Sequence, residues 1–155
     1  MILFHGTNIQ FDEINLGKCK PNKDFGKGFY LTPLQKRAKE RAKDKCDKEL
    51  FGTPIVIAYE FDEKELDTLS IKRFEETNTE WLEFILQNRD RKTSASHSYD
   101  IVIGPVADDG VITSISLYEA KVIDKETLIK RLTYAKPYIQ YCFCTQKAVN
   151  LLKKI

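Results

Sequence analysis

Residues 25–32 read FGKGFYLT, and this stretch decides the fold prediction because it joins a glycine turn to a short strand and a helix start. Glycine tolerates left-handed backbone and the close approach of another segment, so the two glycines predict a tight turn. Turn-forming residues, PNKD, precede it at positions 21–24. A short strand is predicted around Phe29–Leu31. Thr32 then predicts a helix N-cap, with Pro33 at the first helical position.

The remaining chain mixes predicted strands and helices without regular alternation. β-branched and aromatic content predicts strands at residues 1–5, 55–61, 100–106 and 138–144. A capping box at residues 77–80 and caps at Asp124 and Thr145 predict three helices. The helix capped by Asp124 carries Ala135 on its apolar face and ends at Pro137. The sequence of residues 111–119 fits either a helix or a strand. We therefore predict one α+β domain over residues 1–155, with mostly antiparallel strands.

Bulk properties narrow the class of protein. With 155 residues, 42% hydrophobic and 31% charged, the chain is long enough and apolar enough for one soluble globular domain. No apolar run approaches the roughly 20 residues that cross a bilayer, and the start lacks signal-peptide features. The four cysteines include no Cys-x-x-Cys pair, so we expect free thiols, no metal and a cytoplasmic location.

Charge is nearly balanced overall, at +2, which excludes strong global steering toward nucleic acid. Locally, seven Lys or Arg lie between Lys36 and Lys48 on the helix predicted after Pro33. A solvated helix face explains them, and a nucleic-acid target is the alternative.

Three separated segments form one pattern: LFHGT at residues 3–7, FGKGFYLT at 25–32, and QYCFC at 140–144 leading into AVNLL at 148–152. In this order they resemble the NAD-binding signature of poly(ADP-ribose) polymerase catalytic domains. A nearer resemblance, which includes YDIVIGPVADD at 99–109, is to a small, largely uncharacterised bacterial family of the ADP-ribosyltransferase superfamily. It covers nearly the whole chain and implies two antiparallel sheets bordering an NAD cleft, with peripheral helices.

The resemblance also implies a role for each matched residue. His5 would donate to the adenine-side ribose, and Gly6 would offer its backbone N–H and C=O to the nicotinamide amide. Tyr30 would place its flat ring under the nicotinamide ring, and the residue at position 140 would form a hydrogen bond with the 2′-hydroxyl of the reacting ribose. The implied cofactor-binding residues are His5, Gly6, Thr7, Gly28, Tyr30 and Arg41, and the implied catalytic residues are His5, Tyr30 and Gln140.

Two positions depart from the polymerase pattern. Gln140 stands where that pattern has a catalytic Glu. A carboxylate about 4 Å from a unit positive charge is worth roughly 4 kcal/mol at an effective dielectric near 20, and an amide forfeits most of it. Arg41 stands where many relatives carry an aromatic residue, although a guanidinium also stacks. Chain elongation is therefore not expected, whereas a single transfer is.

Other charged residues are candidates for supporting roles. Asp24, Asp108 and Asp109 are candidate bases, and Arg89 is a candidate for meeting a diphosphate. For each of these residues a solvated or capping charge is the simpler interpretation.

Together these inferences predict a mono-ADP-ribosyltransferase that uses NAD as substrate and releases nicotinamide. Its acceptor would be a protein or a nucleic acid, with no membrane involved. Relatives of this size imply a toxin or phage-defence component with a small neutralising partner protein. The alternatives are a catalytically silent NAD or ADP-ribose binding module, an NAD glycohydrolase, and an interaction protein without a ligand.

Overall fold

The computed structural model describes residues 1–92, 97–133 and 138–155, apart from the side chain of Asp109. The strands are β1 (Ile2–Thr7), β2 (Phe29–Leu31), β3 (Ile55–Glu60), β4 (Ile71–Arg73), β5 (Ile101–Pro105), β6 (Ile139–Phe143) and β7 (Lys153–Lys154). The helices are α1 (Gln35–Glu49), α2 (Thr79–Arg89), α3 (Asp109–Glu119), α4 (Lys125–Thr133) and α5 (Gln146–Val149). Short 3-10 turns occupy Leu16–Lys18 and Glu63–Thr68. The α+β class is thus confirmed.

The strands form two sheets, in the orders β1-β3-β7 and β2-β6-β5-β4. All pairings are antiparallel except β4 with β5, so the prediction of mostly antiparallel strands is confirmed. The parallel pair makes the second sheet mixed, rather than antiparallel as the resemblance implied. The parallel pair is possible because α2 lies in the connection between the two strands. One isolated bridge, between Phe4 and Thr32, links β1 to the residue after β2.

The core has two layers because the second sheet is apolar on both faces. Between the sheets, Leu3 and Tyr59 pack with Phe29 and Phe143. On the other face of the second sheet, Val102 and Cys142 belong to a cluster with the apolar faces of α2, α3 and α4. Helix α1 instead covers the outer face of the first sheet, against β1. Within β2, Phe29 and Leu31 thus face the first sheet, whereas Tyr30 packs on the face that the helices cover.

Helix α1 begins at Gln35, so the prediction of Thr32 as N-cap and Pro33 as first helical residue is wrong by two positions. Thr32 is held in extended conformation, because its backbone N–H and C=O both bond to Phe4. Leu34 occupies the cap position without a side-chain hydrogen bond. A tertiary strand contact therefore overrides the local capping signal.

The other helix starts follow the sequence more closely. Asn78, inside the predicted capping box, caps α2 by accepting from the Trp81 N–H, while the Thr77 hydroxyl donates to Leu132. Asp124 and Thr145 act as caps as predicted, accepting from backbone N–H groups three residues on. Residues 111–119, ambiguous in sequence, belong to α3. The predicted positions of Ala135 and Pro137 lie outside the described residues.

Two further observations bear on the bulk predictions. No helix in the described ranges is both long and apolar enough to cross a membrane. All four cysteines are free thiols.

Candidate functional site

The two sheets separate between β1 and β2, immediately after their single bridge. Phe4 donates its N–H to the Thr32 carbonyl at 2.8 Å and accepts from the Thr32 N–H at 2.9 Å. Backbone groups alternate sides along a strand, so Gly6 directs its N–H and C=O the same way as Phe4, away from β3. Counted back from the bridge, Gly6 lies level with Tyr30, yet no backbone bridge joins the two within the described ranges. The result is an open strand edge facing a gap.

Helix α1 lies over the outer side of this gap. A Cβ on Gly6 would lie 2.1 Å from the Ala38 carbonyl oxygen and 2.9 Å from the Ala42 nitrogen. Glycine at this position is therefore required by helix packing, whether or not a ligand binds there. At its start α1 reaches the second sheet, where the Arg37 guanidinium stacks 3.4 Å from the ring of Tyr138. The helix thus bridges both sheets across the gap.

His5 lies at the inner side of the gap and joins the two strands through its side chain. Its Nδ1 is 2.8 Å from the Tyr30 carbonyl, and because a carbonyl only accepts, Nδ1 carries the proton. The ring stacks on Phe29 with centroids 4.3 Å apart. Burial lowers the pKa of His5 to about 4, so the imidazole is neutral at pH 7 and Nε2 is an acceptor. The neutral ring would accept from a ribose hydroxyl, rather than donate as the resemblance implied.

Tyr30 has a fixed hydroxyl and a partly exposed ring. The hydroxyl donates to the Gly26 carbonyl at 2.7 Å and accepts from the Phe25 N–H at 3.0 Å, which ties β2 to the preceding glycine turn. Burial raises the pKa of this phenol far above its ordinary value. The Lys23 ammonium lies 5.1 Å from the ring centroid. Tyr30 can therefore offer a ring face to a ligand, but neither its proton nor its oxygen is available for chemistry.

Gln140 lies near the start of β6, the strand that pairs with β2. Tyr30 pairs with Cys142, and side chains two apart on a strand share a face, so Gln140 and Tyr30 lie on one face of the second sheet. The Gln140 side-chain nitrogen is buried and has no hydrogen-bond acceptor among the described residues. A buried amide without a partner costs about 1–3 kcal/mol. The described residues therefore leave this nitrogen both unpaired and shielded from solvent.

Three cations gather on one side of the gap, and sequence reasoning identified only one of them as a site residue. Burial lowers the pKa of Lys23, and Arg41 lowers it further, as does Lys45. The charges of Arg41 and Lys45 also lower the pKa of His5. Lys23 has no ion-pair partner within the described ranges, although it is half-buried. Lys23 lies two residues before the FGKG turn, and the sequence analysis assigned it only to the turn-forming residues 21–24.

The alternative charged candidates divide into two groups. Asp24 is half-buried, its pKa is raised by burial, and its nearest cation is Arg89 at 3.9 Å. The charges of Arg41 and Lys23 partly offset this rise in the pKa of Asp24, so the Asp24 carboxyl lies beside the cationic cluster. Asp108 instead caps α3 by accepting from the Val111 N–H. Arg89 makes only this long ion pair, and its paired nitrogen is buried without a hydrogen-bond acceptor among the described residues. The side chain of Asp109 lies outside the described part of the chain.

The last two predicted residues have structural roles. The Thr7 hydroxyl is buried and bonds to the backbone of Ile9 as donor at 3.2 Å and as acceptor at 3.3 Å. A Cβ on Gly28 would lie 2.5 Å from the Cys142 sulfur, so glycine here permits β6 to approach. Both residues shape the site without presenting a free group to a ligand.

Two cavities lie elsewhere in the molecule. One of about 300 Å³ lies between Asp12, Tyr59 and Asn150, and one of about 390 Å³ lies beside Lys27, His97 and Cys144. His5, Tyr30 and Gln140 line neither. The structure brings His5 to the β2 edge and Tyr30 with Gln140 onto one sheet face. The candidate site is therefore the unpaired edge of β1 at Gly6, rather than either cavity.

No group of three or more His, Cys, Asp or Glu side chains in the described ranges could hold a metal ion. No curated protein and no solved structure matches this chain significantly. One family model matches residues 1–154, which is almost the entire chain. By that match the chain belongs to the family described as protein of unknown function (DUF3990).

Proposed function

We propose that this protein transfers a single ADP-ribose from NAD to a macromolecular acceptor and releases nicotinamide. The proposal rests on the resemblance of three sequence segments to the NAD-binding signature of ADP-ribosyltransferases. The observation that carries it further is the gap between β1 and β2, along which those segments meet.

The open edge of β1 suits the nicotinamide amide. That group has one carbonyl and one NH₂, and the Gly6 backbone offers one N–H and one C=O along the gap. Two such hydrogen bonds fix the ring in the plane of the strand edge. The ring of Tyr30 lies level with Gly6 on the facing strand and supplies a flat surface beside it.

The cationic cluster suits the diphosphate. Lys23, Arg41 and Lys45 are mutually repulsive, and none of the three forms an ion pair within the described ranges, although the Asp24 carboxyl lies beside them. A diphosphate placed among them would remove that repulsion and provide charge-assisted hydrogen bonds. Neutral His5, with its Nε2 lone pair, would accept from a hydroxyl of the adjoining ribose.

The chemical step needs little from the protein beyond placement. The bond between ribose C1′ and the nicotinamide nitrogen breaks, and its electron pair leaves with the ring, which becomes neutral. The ribose then resembles an oxocarbenium ion, as in glycoside hydrolysis. A nucleophile on the acceptor attacks C1′ and loses its proton. Gln140 can orient the ribose through its free amide but cannot take that proton, whereas the Asp24 carboxylate can.

Incubation of the purified protein with adenine-labelled NAD and a cell lysate tests the proposal. We expect free nicotinamide together with label in macromolecules, and digestion by protease or nuclease then identifies the acceptor class. Nicotinamide release without macromolecular labelling would indicate an NAD glycohydrolase. NAD binding without release would indicate the silent binding module, an outcome for which the Gln140 amide is the structural reason.

Matched variants locate the site. Lys23→Met removes one charged contact to the diphosphate, worth about 1.5–3 kcal/mol, so NAD affinity should fall roughly 10- to 100-fold. Lys43→Met, on an exposed position of α1, is the control and should bind as the unmodified protein does. Equal affinities of the two variants by isothermal titration would contradict this placement of the diphosphate.

A further inference from the structure

Two thiols lie together at the end of β6. Cys142 is fully buried, and Cys144 is half-buried just beyond the strand end. Their sulfurs are 3.4 Å apart, and the Cys144 thiol also lies 3.4 Å from the Cys142 carbonyl. Disulfide formation needs an approach of only about 1.4 Å to the usual bond length near 2.05 Å. The proposed transferase chemistry uses neither thiol.

A histidine stands beside the more accessible thiol. The Nε2 of His97 is 4.0 Å from the Cys144 sulfur and 2.7 Å from the Phe25 carbonyl, to which it donates. Its Nδ1 accepts from the Tyr99 N–H at 3.2 Å, so the ring is held from both sides. This imidazole is therefore positioned next to the sulfur rather than rotating in solvent.

Cys144 faces a cavity of about 390 Å³, whose lining includes His97, Tyr99 and Lys27. Lys27 is exposed and has no ion-pair partner among the described residues, so the cavity has a free cation at its rim. Cys144 and Gln140 lie at opposite ends of β6, which separates this cavity from the gap proposed to bind NAD. A small anionic molecule fits the volume and the charge.

We propose that Cys144 and Cys142 form a thiol–disulfide exchange site for anionic low-molecular-weight disulfides. Cys144 is the attacking thiol, because it lines the cavity. Cys142 is the resolving thiol, because it is buried directly behind Cys144. This site is independent of the proposed transferase activity.

The exchange balances in two steps. The Cys144 thiolate attacks one sulfur of the incoming disulfide, forming a mixed disulfide and releasing the first thiol. Cys142 then attacks the Cys144 sulfur while its proton passes to the departing sulfur, which releases the second thiol and leaves a Cys142–Cys144 disulfide. The protein dithiol loses two electrons and the incoming disulfide gains them.

The electrostatics agree with this division of roles. A hydrogen bond from Cys142, together with His97, lowers the pKa of the Cys144 thiol below its ordinary value. Burial raises the pKa of Cys142. Burial also raises the pKa of Cys19, so that thiol provides an internal comparison elsewhere in the chain. Because the thiolate is the nucleophile, Cys144 should react first.

The direct test treats the reduced full-length protein with oxidised glutathione and maps the products by mass spectrometry. In a background with Cys19→Ser and Cys46→Ser, we expect a protein that has lost two hydrogen atoms and carries no glutathione. Adding Cys142→Ser should instead trap one glutathione on Cys144. Adding Cys144→Ser should slow the reaction about tenfold or more, since only the buried thiol remains. Stable glutathione adducts without an internal disulfide would overturn the assignment of Cys142.

A second measurement needs no substitution at the thiols. Substoichiometric iodoacetamide at neutral pH should label Cys144 about tenfold faster than Cys19 in the unmodified protein. Preferential labelling of Cys19 or Cys46 would overturn the proposal. Oxidised glutathione, which is anionic, should react faster than the cationic disulfide cystamine, and Lys27→Ala should reduce that preference. Equal rates for the two disulfides would overturn the assignment to anions.

Discussion

Replacing Gly6 by alanine tests the packing of α1 on β1. The added Cβ would lie 2.1 Å from the Ala38 carbonyl oxygen and 2.9 Å from the Ala42 nitrogen, both of them backbone atoms of the helix. Ordinary contact distances are about 3.4 Å or more, so α1 must move by roughly 1 Å at this point. Overpacking of this kind costs about 1–3 kcal/mol, and the side chains of Ala38 and Ala42 are already buried.

A compensating effect reduces the expected loss. Alanine restricts the unfolded chain relative to glycine, which returns about 0.4–1 kcal/mol. The φ angle of Gly6 is not in the left-handed region, so the backbone adds no strain. We therefore expect a net loss of about 1–2 kcal/mol in the free energy of unfolding. For a domain of this size the loss corresponds to a fall in Tm of about 2–8 °C.

Gly110→Ala is the matched control for this thermal unfolding experiment. Its added Cβ would meet only the Asp108 side-chain oxygen at 3.5 Å, an ordinary contact, and it lies within α3. Alanine in a helix is favoured over glycine by about 0.8–1 kcal/mol, so the Tm of Gly110→Ala should equal or exceed that of the unmodified protein. A Gly6→Ala variant as stable as Gly110→Ala would refute the packing argument. Any accompanying loss of NAD affinity in Gly6→Ala would follow from the displaced helix and would not by itself indicate ligand contact.

Three further predictions concern the candidate site. Gln140→Glu restores the carboxylate of the polymerase pattern and should accelerate nicotinamide release, lowering the activation free energy by at most roughly 4 kcal/mol. Chromatography measures the released nicotinamide, and Gln87→Glu, at an exposed position, is the control. No acceleration would mean that charge at position 140 does not limit the reaction. Tyr30→Phe leaves the Phe25 N–H without its acceptor and should lower the free energy of unfolding by about 1–3 kcal/mol, an expectation that an unchanged denaturant midpoint would contradict. His5 binds its proton near pH 4 when folded but near 6.5 when unfolded, so its contribution to stability is complete above pH 6.5 and is lost as the pH falls toward 4. Between pH 7 and pH 5, urea unfolding should therefore show a larger fall in the free energy of unfolding for the unmodified protein than for His5→Asn. The full contribution of His5, from pH 6.5 to below pH 4, is up to about 3 kcal/mol. Equal falls for the two proteins would argue against a buried neutral imidazole.

Much of the fold was predictable because its signals are local. The strands at residues 55–61, 100–106 and 138–144 follow from runs of β-branched and aromatic residues, and Asp124 and Thr145 cap their helices as the side-chain chemistry predicts. The start of α1 was wrong for a nonlocal reason, because the backbone of Thr32 is bonded to Phe4. The ambiguity at residues 111–119 had a similar origin. An apolar segment of that length becomes a helix here because its apolar side chains pack against the second sheet and α4.

The candidate site divides in the same way. Sequence order and motif spacing were enough to single out His5, Tyr30 and Gln140. They could not give the tautomer of His5, which is fixed by the Tyr30 carbonyl, or the missing partner of the Gln140 amide. They also left Lys23 as an ordinary turn residue, since its lack of an ion-pair partner among the described residues is a property of its neighbours in space.

The sequence by itself therefore determined five of the seven described strands and four of the five described helices, but not β4, β7 or α3. It also determined which residues carry the NAD-binding resemblance, because periodicity, capping and motif order are properties of neighbouring residues. Tertiary structure alone decided that β1 and β2 have no backbone bridge beyond the one between Phe4 and Thr32 in the described ranges, and that α1 lies against β1. Tertiary structure also brings Lys23, Arg41 and Lys45 near one another. It also decided that Cys144 faces a cavity with Cys142 behind it and His97 beside it. These arrangements join residues up to about a hundred positions apart, and only the packing of two sheets brings such residues within hydrogen-bonding or electrostatic range.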